Sequence, residues 1–204
     1  MRKSHAHESQ FRSVNGPTDQ TLIEAVAGGS QVAMRTLYDR HSTRVYRFLL
    51  RIVCNEARAE ELLSEVFTDV WKQSGRFEGR SQVATWILSI ARFTALSAIR
   101  RRDEATLDET TMELLEDGAD TPEEALLKED RSAQVRRCLA QMSREHREVI
   151  DLVYYHEKSI EEIADIVCVP KNTVKTRMFY ARKRLAQLLS HHCDFDYLAA
   201  CEAA

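Results

Sequence analysis

The sequence is poor in residues that interrupt helices, and it lacks long hydrophobic runs. Its 204 residues include only six glycines and three prolines, while 44% of the residues are hydrophobic. This composition is typical of a globular protein and favours an all-α fold without strands. Residues 1–17 are mostly polar, and no stretch of about 18 apolar residues follows them. We therefore expect a cytoplasmic protein with no membrane insertion.

The five cysteines show neither a disulfide pattern nor a metal-binding pattern. Their number is odd and no CxxC pair occurs, which suits a reducing compartment. His191, His192, Cys193 and Cys201 do not have the spacing of a closed zinc site, so we predict an unstructured tail there. Paired catalytic acids and bases, nucleophile motifs and phosphate loops are also missing. We predict no metal, no cofactor and no enzymatic activity.

Charge is distributed in blocks, although the net charge is only −3. Residues 103–130 contain twelve Asp or Glu and a single Lys, with Gly118 and Pro122 among them. So few apolar residues remain that this segment cannot supply a core. We predict that it is an acidic linker between two small helical domains, at residues 18–102 and 131–190. Residues 1–17 are then a leader, and residues 191–204 a tail.

Amphipathic helices are predicted throughout the first domain. Apolar residues recur at helical spacing from Asp19 to Ile52, interrupted by two glycines at positions 28 and 29, which predicts a helical hairpin. In the next segment, EARAEELLSEVFTDVWK, apolar residues lie on one face and carboxylates on the other. After a turn at residues 75–79, another helix begins near Val83 and runs into three consecutive arginines.

A helix-turn-helix is predicted in the second domain. Ser159 and Glu162 form a capping box that starts a short helix, and the segment Cys168-Val169-Pro170 ends it. Two short helices joined by so tight a turn suit the motif that places its second helix in the major groove of DNA. Between Cys168 and Cys193 there are six Lys or Arg and no acid, which suits contact with phosphates. The alternative, a merely solvated basic helix, does not explain the capped helix and tight turn before it.

Three segments resemble a known family: AEELLSEVFTDVW, FEGRSQVATWILSIAR and, after the acidic spacer, SIEEIADIVCVPKNTVKTRMFYARKRL. Together they resemble the extracytoplasmic-function sigma factors of bacterial RNA polymerase, in the sigma-70 family, over roughly residues 20–190. Two unrelated segments in this order are more specific than a helix-turn-helix alone. The resemblance implies sigma region 2 in the first domain, sigma region 4 in the second, and a transcription initiation factor that catalyses nothing itself.

The resemblance also implies partners and contact residues. The partners are core RNA polymerase, through the clamp helices of its largest subunit, promoter DNA, and an inhibitory anti-sigma factor. The polymerase contacts fall on Glu60, Glu61, Glu65 and Asp69. The minus-10 contacts, where a base is flipped from the non-template strand, fall on Phe77, Arg80, Ser81, Arg92, Arg100, Arg101 and Arg102. The minus-35 contacts fall on Lys171, Asn172, Thr173, Lys175, Thr176, Arg177, Arg182, Lys183 and Arg184.

Four positions depart from the family pattern. Phe93 stands where Asn is usual and Ser97 where Asp is usual, so the minus-10 preference is not carried over. Cys168 occupies a turn position suited to Gly in a left-handed backbone conformation; it is either a small strained residue or a thiol whose oxidation would distort the DNA-reading helix. Phe179 projects outward, where it can touch a thymine methyl or an inhibitory partner. We assign Trp86 to the core rather than to base stacking.

Two other functional classes remain open at the level of sequence. A stand-alone helix-turn-helix regulator would use the same DNA-binding helix, but it leaves the acidic helix and the FEGRSQVATW segment unexplained. The second class is an adaptor that sequesters a partner protein through its helical faces without binding DNA. Run-off transcription with core polymerase separates the first class from a sigma factor, and salt-sensitive promoter binding argues against the second.

Overall fold

The computed structural model describes residues 16–105, 135 and 137–202, with side chains as far as residue 102 in the first part and residue 190 in the second. Within these residues all regular structure is helical, which confirms the all-α prediction. Most of the predicted acidic linker and all of residues 1–15 lie outside the described residues. The N-terminal bundle consists of α1 (Asp19–Ala27), α2 (Gln31–Val53), α3 (Glu56–Gln73) and α4 (Val83–Ala105). The C-terminal bundle consists of α5 (Arg144–Tyr154), α6 (Ile160–Val167) and α7 (Lys171–Glu202).

Polar side chains cap the helices of the N-terminal bundle. Thr18 Oγ1 accepts the backbone N–H of Thr21 at 3.2 Å, and Asn55 Oδ1 accepts that of Arg58 at 2.8 Å. Such caps satisfy amides that have no partner within the helix. Cys54 ends α2 in the left-handed conformation, with φ 52°, so that α3 starts directly from Asn55.

The apolar faces predicted for α3 and α4 form the core of the N-terminal bundle. Leu62, Val66 and Val70 of α3 are fully buried, as are Ile87 and Ala91 of α4. Among the described residues α4 is the one helix long and apolar enough to cross a membrane. Its apolar side packs against α2 and α3 in the core. This packing accounts for its hydropathy without a bilayer.

The C-terminal bundle is built around the predicted helix-turn-helix. The capping box is confirmed: Ser159 accepts the backbone N–H of Glu162, and the Glu162 side chain accepts that of Ser159. Cys168 follows α6 with φ 53° and ψ 46°, the left-handed turn expected at this position. Val174 and Ala181 of α7 are fully buried against α5 and α6.

The course of α7 differs from the predicted tail at residues 191–204. The helix does not end near residue 190 but continues to Glu202. Neither Gly nor Pro occurs between Lys171 and Glu202, so the sequence contains no residue that would stop it. The side chains of His191, His192, Cys193 and Cys201 lie outside the described side chains, so the expectation that they form no metal site stays a prediction.

Candidate nucleic-acid and polymerase interfaces

The first turns of α7 present a polar and basic surface to solvent. Asn172, Lys175 and Thr176 are exposed, whereas Thr173 and Arg177 are half-buried. Lys171 Nζ lies 3.3 Å from Glu161 Oε1 of α6. The exposed face therefore begins at the N-terminus of α7, the end that reads base edges in helix-turn-helix proteins.

Farther along α7, two exposed aromatic rings, Phe179 and Tyr180, precede three consecutive cations. Arg182, Lys183 and Arg184 are exposed, and the Arg182 guanidinium lies 5.7 Å from the ring centre of Tyr154 in α5. Phe179 keeps 63% of its surface exposed. The predicted minus-35 residues thus lie along one helix with no acid among them, an arrangement suited to a polyanion.

The acidic face of α3 is open to solvent on the side away from the core. Glu60, Glu61 and Glu65 are exposed and Asp69 is half-buried. One of these carboxylates is already paired, because Arg58 Nη1 lies 2.5 Å from Glu61 Oε2. Exposed carboxylates at helical spacing leave a negative surface that a basic partner can approach.

The predicted minus-10 residues lie in the loop before α4 and along that helix. The Phe77 ring is half-buried, with its centre 5.2 Å from that of Trp86. Arg80 is largely exposed and pairs with Glu78, and half-buried Ser81 adjoins Arg80. Three further arginines lie near the end of α4, where exposed Arg100 precedes Arg101 and Arg102, which line an open cleft of about 500 Å³.

Arg92 is the exception among the minus-10 candidates. Its side chain is only 19% exposed, and its Nε lies 2.5 Å from Glu148 Oε1 of the C-terminal bundle. A second contact joins Arg92 Nη2 to Glu148 Oε2 at 3.4 Å. In this arrangement Arg92 is not open to a nucleic acid.

Comparisons with known proteins assign the two bundles to one family. The family models for Sigma-70 region 2 and Sigma-70 region 4 match residues 37–105 and 132–185. The chain belongs to the sigma-70 family. The chain is 28% identical to the RNA polymerase sigma-H factor of Pseudomonas aeruginosa over 84% of this chain and 93% of the relative. It is 29% identical to the ECF RNA polymerase sigma factor SigL of Mycobacterium tuberculosis, over 80% and 92% of the two chains.

A solved structure supports the fold of this sigma factor. The sigma factor RpoE of Bartonella quintana, in complex with the anti-sigma factor NepR, matches it with a TM-score of 0.65 at 22% identity. The match covers 76% of this chain and 96% of that one. The N-terminal bundle is accordingly region 2, the C-terminal bundle region 4, and the chain is an extracytoplasmic-function sigma factor.

In this sigma factor, regions 2 and 4 touch along a buried polar interface. Arg51 of α2 pairs with Asp151 of α5, whose side chain is only 5% exposed. Asp151 also lies 3.4 Å from the Nε2 of His156, a buried residue after α5. The His156 ring meets Phe48 of α2 edge-on, with 5.5 Å between the ring centres. Tyr155 accepts a hydrogen bond from Arg47.

A second contact joins α4 to the helix-turn-helix. Thr85 Oγ1 donates to Glu162 Oε1 at 2.6 Å, and Lys158 donates to the same oxygen at 2.8 Å. Burial raises the pKa of Glu162, but the donors Lys158, Thr85 and the Ser159 N–H outweigh it and lower that pKa to about 2. Glu162, which caps α6 together with Ser159, therefore also links region 4 to region 2.

Sequence reasoning missed this interface. Glu148 and Asp151 lie on the side of α5 that also carries buried Leu152. Acids at buried helical positions indicate paired charges, because an isolated buried carboxylate is strongly unfavourable. The segment REHREVIDLVYY contains such acids on the apolar side of its helix. Their presence does not identify the residues that pair with them, which belong to region 2.

Proposed function

We propose that the protein binds core RNA polymerase and directs it to promoters by contacting the minus-35 element through α7 and the minus-10 element through α4 and the loop before it. The observation that carries this proposal is that one chain exposes two surfaces of opposite charge, each in a different region. α3 exposes carboxylates within sigma region 2, and α7 exposes cations within sigma region 4. The protein is a transcription initiation factor with no enzymatic activity of its own.

Minus-35 recognition is assigned to the N-terminal half of α7. Asn172, Thr173 and Thr176 carry side chains that hydrogen-bond base edges in the major groove, where each base pair presents a distinct pattern. Lys171, Lys175 and Arg177 stand on the same turns. The later cations, Arg182, Lys183 and Arg184, are proposed to contact phosphates, which position the helix without reading sequence.

Minus-10 recognition is assigned to Phe77, Arg80, Ser81, Arg92, Arg100, Arg101 and Arg102. Extracting a base from the stack costs a few kcal/mol, so a site that holds it needs both a pocket and cations along the backbone. The half-buried Phe77 ring, which lies beside Trp86, is proposed to contact the extracted base, and the arginines at the end of α4 are proposed to contact its backbone.

The acidic face of α3 is proposed to contact the clamp helices of the largest polymerase subunit. Glu60, Glu61, Glu65 and Asp69 provide a negative surface that steers a basic partner before close contact forms. The opposite side of α3 is buried in the core of region 2. The helix can therefore bind through its acidic face without disturbing its packing.

Promoter binding requires the two regions to separate. The minus-35 and minus-10 elements are named after their positions, which differ by about 25 base pairs. At 3.4 Å per base pair, this separation is roughly 85 Å. Arg92 and Glu148, in contrast, are 2.5 Å apart in this structure. The described arrangement is accordingly a closed state of the free protein, and the interface of Arg92, Arg51 and Thr85 opens when polymerase and promoter bind.

We expect an anti-sigma factor to control the protein, because its structural relative from Bartonella quintana is bound to one. Such a partner would compete for the surfaces that bind polymerase or DNA. The site of action is the cytoplasm, at the nucleoid where promoter DNA lies. Regulation by a stress or signal is expected on the same basis.

Run-off transcription with purified core polymerase tests the proposal. Core enzyme with this protein should produce defined transcripts from a bacterial genomic promoter library, and core enzyme alone should not. A matched variant, Lys175→Glu with Thr176→Ala, should abolish promoter selection while the protein still binds core polymerase. If the protein binds promoter DNA but never associates with core polymerase at low ionic strength, it is a stand-alone regulator and the proposal is wrong.

A further inference from the structure

His156 is an ionisable residue buried between regions 2 and 4, in the turn that follows α5. Its side chain is only 1% exposed, and its ring packs edge-on against Phe48 of α2. Among the described residues, the ring nitrogen Nε2 has no hydrogen-bond partner. The carboxylate of Asp151 lies 3.4 Å from this nitrogen, but it also pairs with Arg51 of region 2. Since buried polar atoms are nearly always hydrogen-bonded, the site is unusual.

A small cavity adjoins the His156 ring at the boundary between the two regions. Its volume is about 10 Å³, which is close to the space that one water molecule needs. The residues that α4 contributes to its wall are apolar, namely Ala84, Ile87 and Leu88. The ionisable residues of the wall are all basic, namely His41, Arg44, His156 and Lys158. A positive charge added at this cavity therefore meets little water and no acid in the wall.

The acids near this cavity are held by other donors. Asp19 contacts His41 with 2.7 Å between Oδ2 and Nε2, and Glu162 accepts a hydrogen bond from Lys158 at 2.8 Å. The pKa of Glu162 is lowered to about 2, so this carboxylate stays ionised wherever histidine titrates. Its contacts with region 2 therefore do not change between pH 5 and pH 8.

Separation of the regions would change the surroundings of His156 in three ways, and each of them favours a proton on its ring. Water would reach the ring, which removes the desolvation that disfavours a buried charge. Asp151 belongs to the same region as His156, so it would stay beside the ring and lose its competing partner. The cations of α2 that face this turn would leave with region 2, namely Arg44, Arg47 and Arg51.

We infer that His156 is a pH-dependent latch, which permits the closed state while it is uncharged and favours separation of regions 2 and 4 once it is protonated. A group that binds a proton more tightly in one of two states shifts the equilibrium towards that state as the pH falls. For one proton, the ratio of open to closed protein rises by at most about tenfold for each pH unit. The inference rests on the separation of the regions that is part of the proposed function, but on no contact with polymerase or DNA.

Energy transfer between two dyes on the full chain tests the inference in the absence of polymerase and DNA. One dye is attached at position 32 of α2 and the other at position 165 of α6, because Val32 and Asp165 are exposed. The open fraction is measured from pH 8 to pH 5.5, in the original protein and in Glu148→Gln. The second background weakens the closed state, so that a small open fraction becomes measurable. The ratio of open to closed protein should rise reversibly by about 3- to 30-fold over this range.

Substitutions at three histidines identify the group that responds. His156→Gln and His156→Asn, which bind no proton in this range, should lose most of the response and stay closed at pH 5.5. His156→Arg, which is always charged, should be open already at pH 8. His41→Gln should keep the response, because Asp19 offsets the charge of His41 in both states. His146→Gln is the matched control, since His146 is a half-buried histidine of α5 that does not line the cavity.

Three results would overturn the inference. His156→Gln and His156→Asn could respond to pH as the original protein does, or energy transfer could stay constant from pH 8 to pH 5.5 in both backgrounds. The third result is a loss of helix, measured by circular dichroism on the same samples, because region 4 would then unfold rather than separate. None of these results concerns transcription. Failure of the original protein to initiate on any promoter would overturn the proposed role in transcription and leave the latch intact.

Discussion

Replacing Glu148 by glutamine should loosen the contact between regions 2 and 4. Glu148 is 5% exposed and holds Arg92, which is 19% exposed, with 2.5 Å between Nε and Oε1. Removing one partner of a buried ion pair typically costs about 3–5 kcal/mol. We expect a cost at the lower end of this range, because Arg92 keeps some contact with water and glutamine can still accept one hydrogen bond.

The lost stabilisation affects only the closed state, because the Arg92–Glu148 ion pair joins the two regions and is absent when they separate. A change of about 3 kcal/mol shifts the ratio of closed to open protein by roughly a hundredfold. A partner that binds only the open state then binds more tightly, up to that factor, if the closed state predominates in the original protein. The variant Glu148→Gln should therefore bind core polymerase more tightly than the original protein does.

Small-angle scattering and titration with core polymerase provide the assay. The free variant should have a larger radius of gyration than the original protein, together with a lower dissociation constant for polymerase. Asp165→Asn is the matched control, since Asp165 is an exposed carboxylate on α6 and its change should alter neither quantity. Arg92→Gln should open the protein as well, but it should also weaken minus-10 binding, which Glu148→Gln should leave intact.

The reasoning is refuted if Glu148→Gln leaves both the scattering curve and the polymerase affinity unchanged. It is also refuted if Glu148→Gln and Arg92→Gln affect the radius of gyration independently. Residues in direct contact must instead show coupling, because either single change already breaks the pair.

Three further predictions concern separate surfaces. Because the folded pKa of Glu162 is about 2, against an ordinary value of 4.5, the stability that this carboxylate contributes is present above pH 4.5 and is lost as pH falls towards 2. Urea unfolding at pH 7 and pH 3 should therefore show a smaller pH dependence for Glu162→Gln than for the original protein. Thr176→Ala should change which minus-35 sequences are bound, whereas Lys183→Ala should weaken binding to all of them and reduce the salt slope by about 1, as measured by titrating promoter fragments at several salt concentrations. Glu65→Lys should slow association with core polymerase without destabilising region 2, because Glu65 is exposed; stopped-flow association at low and high salt checks this, and an equal effect at both would contradict it.

Local features were predictable from the sequence because they depend on neighbouring residues. The capping box at Ser159, the left-handed turn at Cys168 and the buried side of α7 all lie where the sequence pattern put them. The acidic side of α3 and the basic side of α7 were also recognisable, since helical spacing determines which residues share a face. Their assignment to polymerase and DNA contacts stays a prediction.

The contacts between the regions were not predictable in the same way. Arg92 and Glu148 are 56 residues apart in the sequence, and Thr85 and Glu162 are 77 apart. Helical periodicity places each of these residues on its own helix, but it contains no information about which helix will lie opposite. Arg92, which the family resemblance assigns to minus-10 DNA, is paired with a carboxylate of the other region in the structure.

Cys168 shows how much the reading of DNA depends on one backbone position. The direction in which α7 leaves α6 is determined by the left-handed dihedral angles of this residue, φ 53° and ψ 46°. A flexible glycine can adopt the same angles without strain, whereas a β-branched residue strongly resists them. The orientation of the whole recognition helix, and with it the register of every base contact, is therefore sensitive to an exposed residue that need not touch DNA at all.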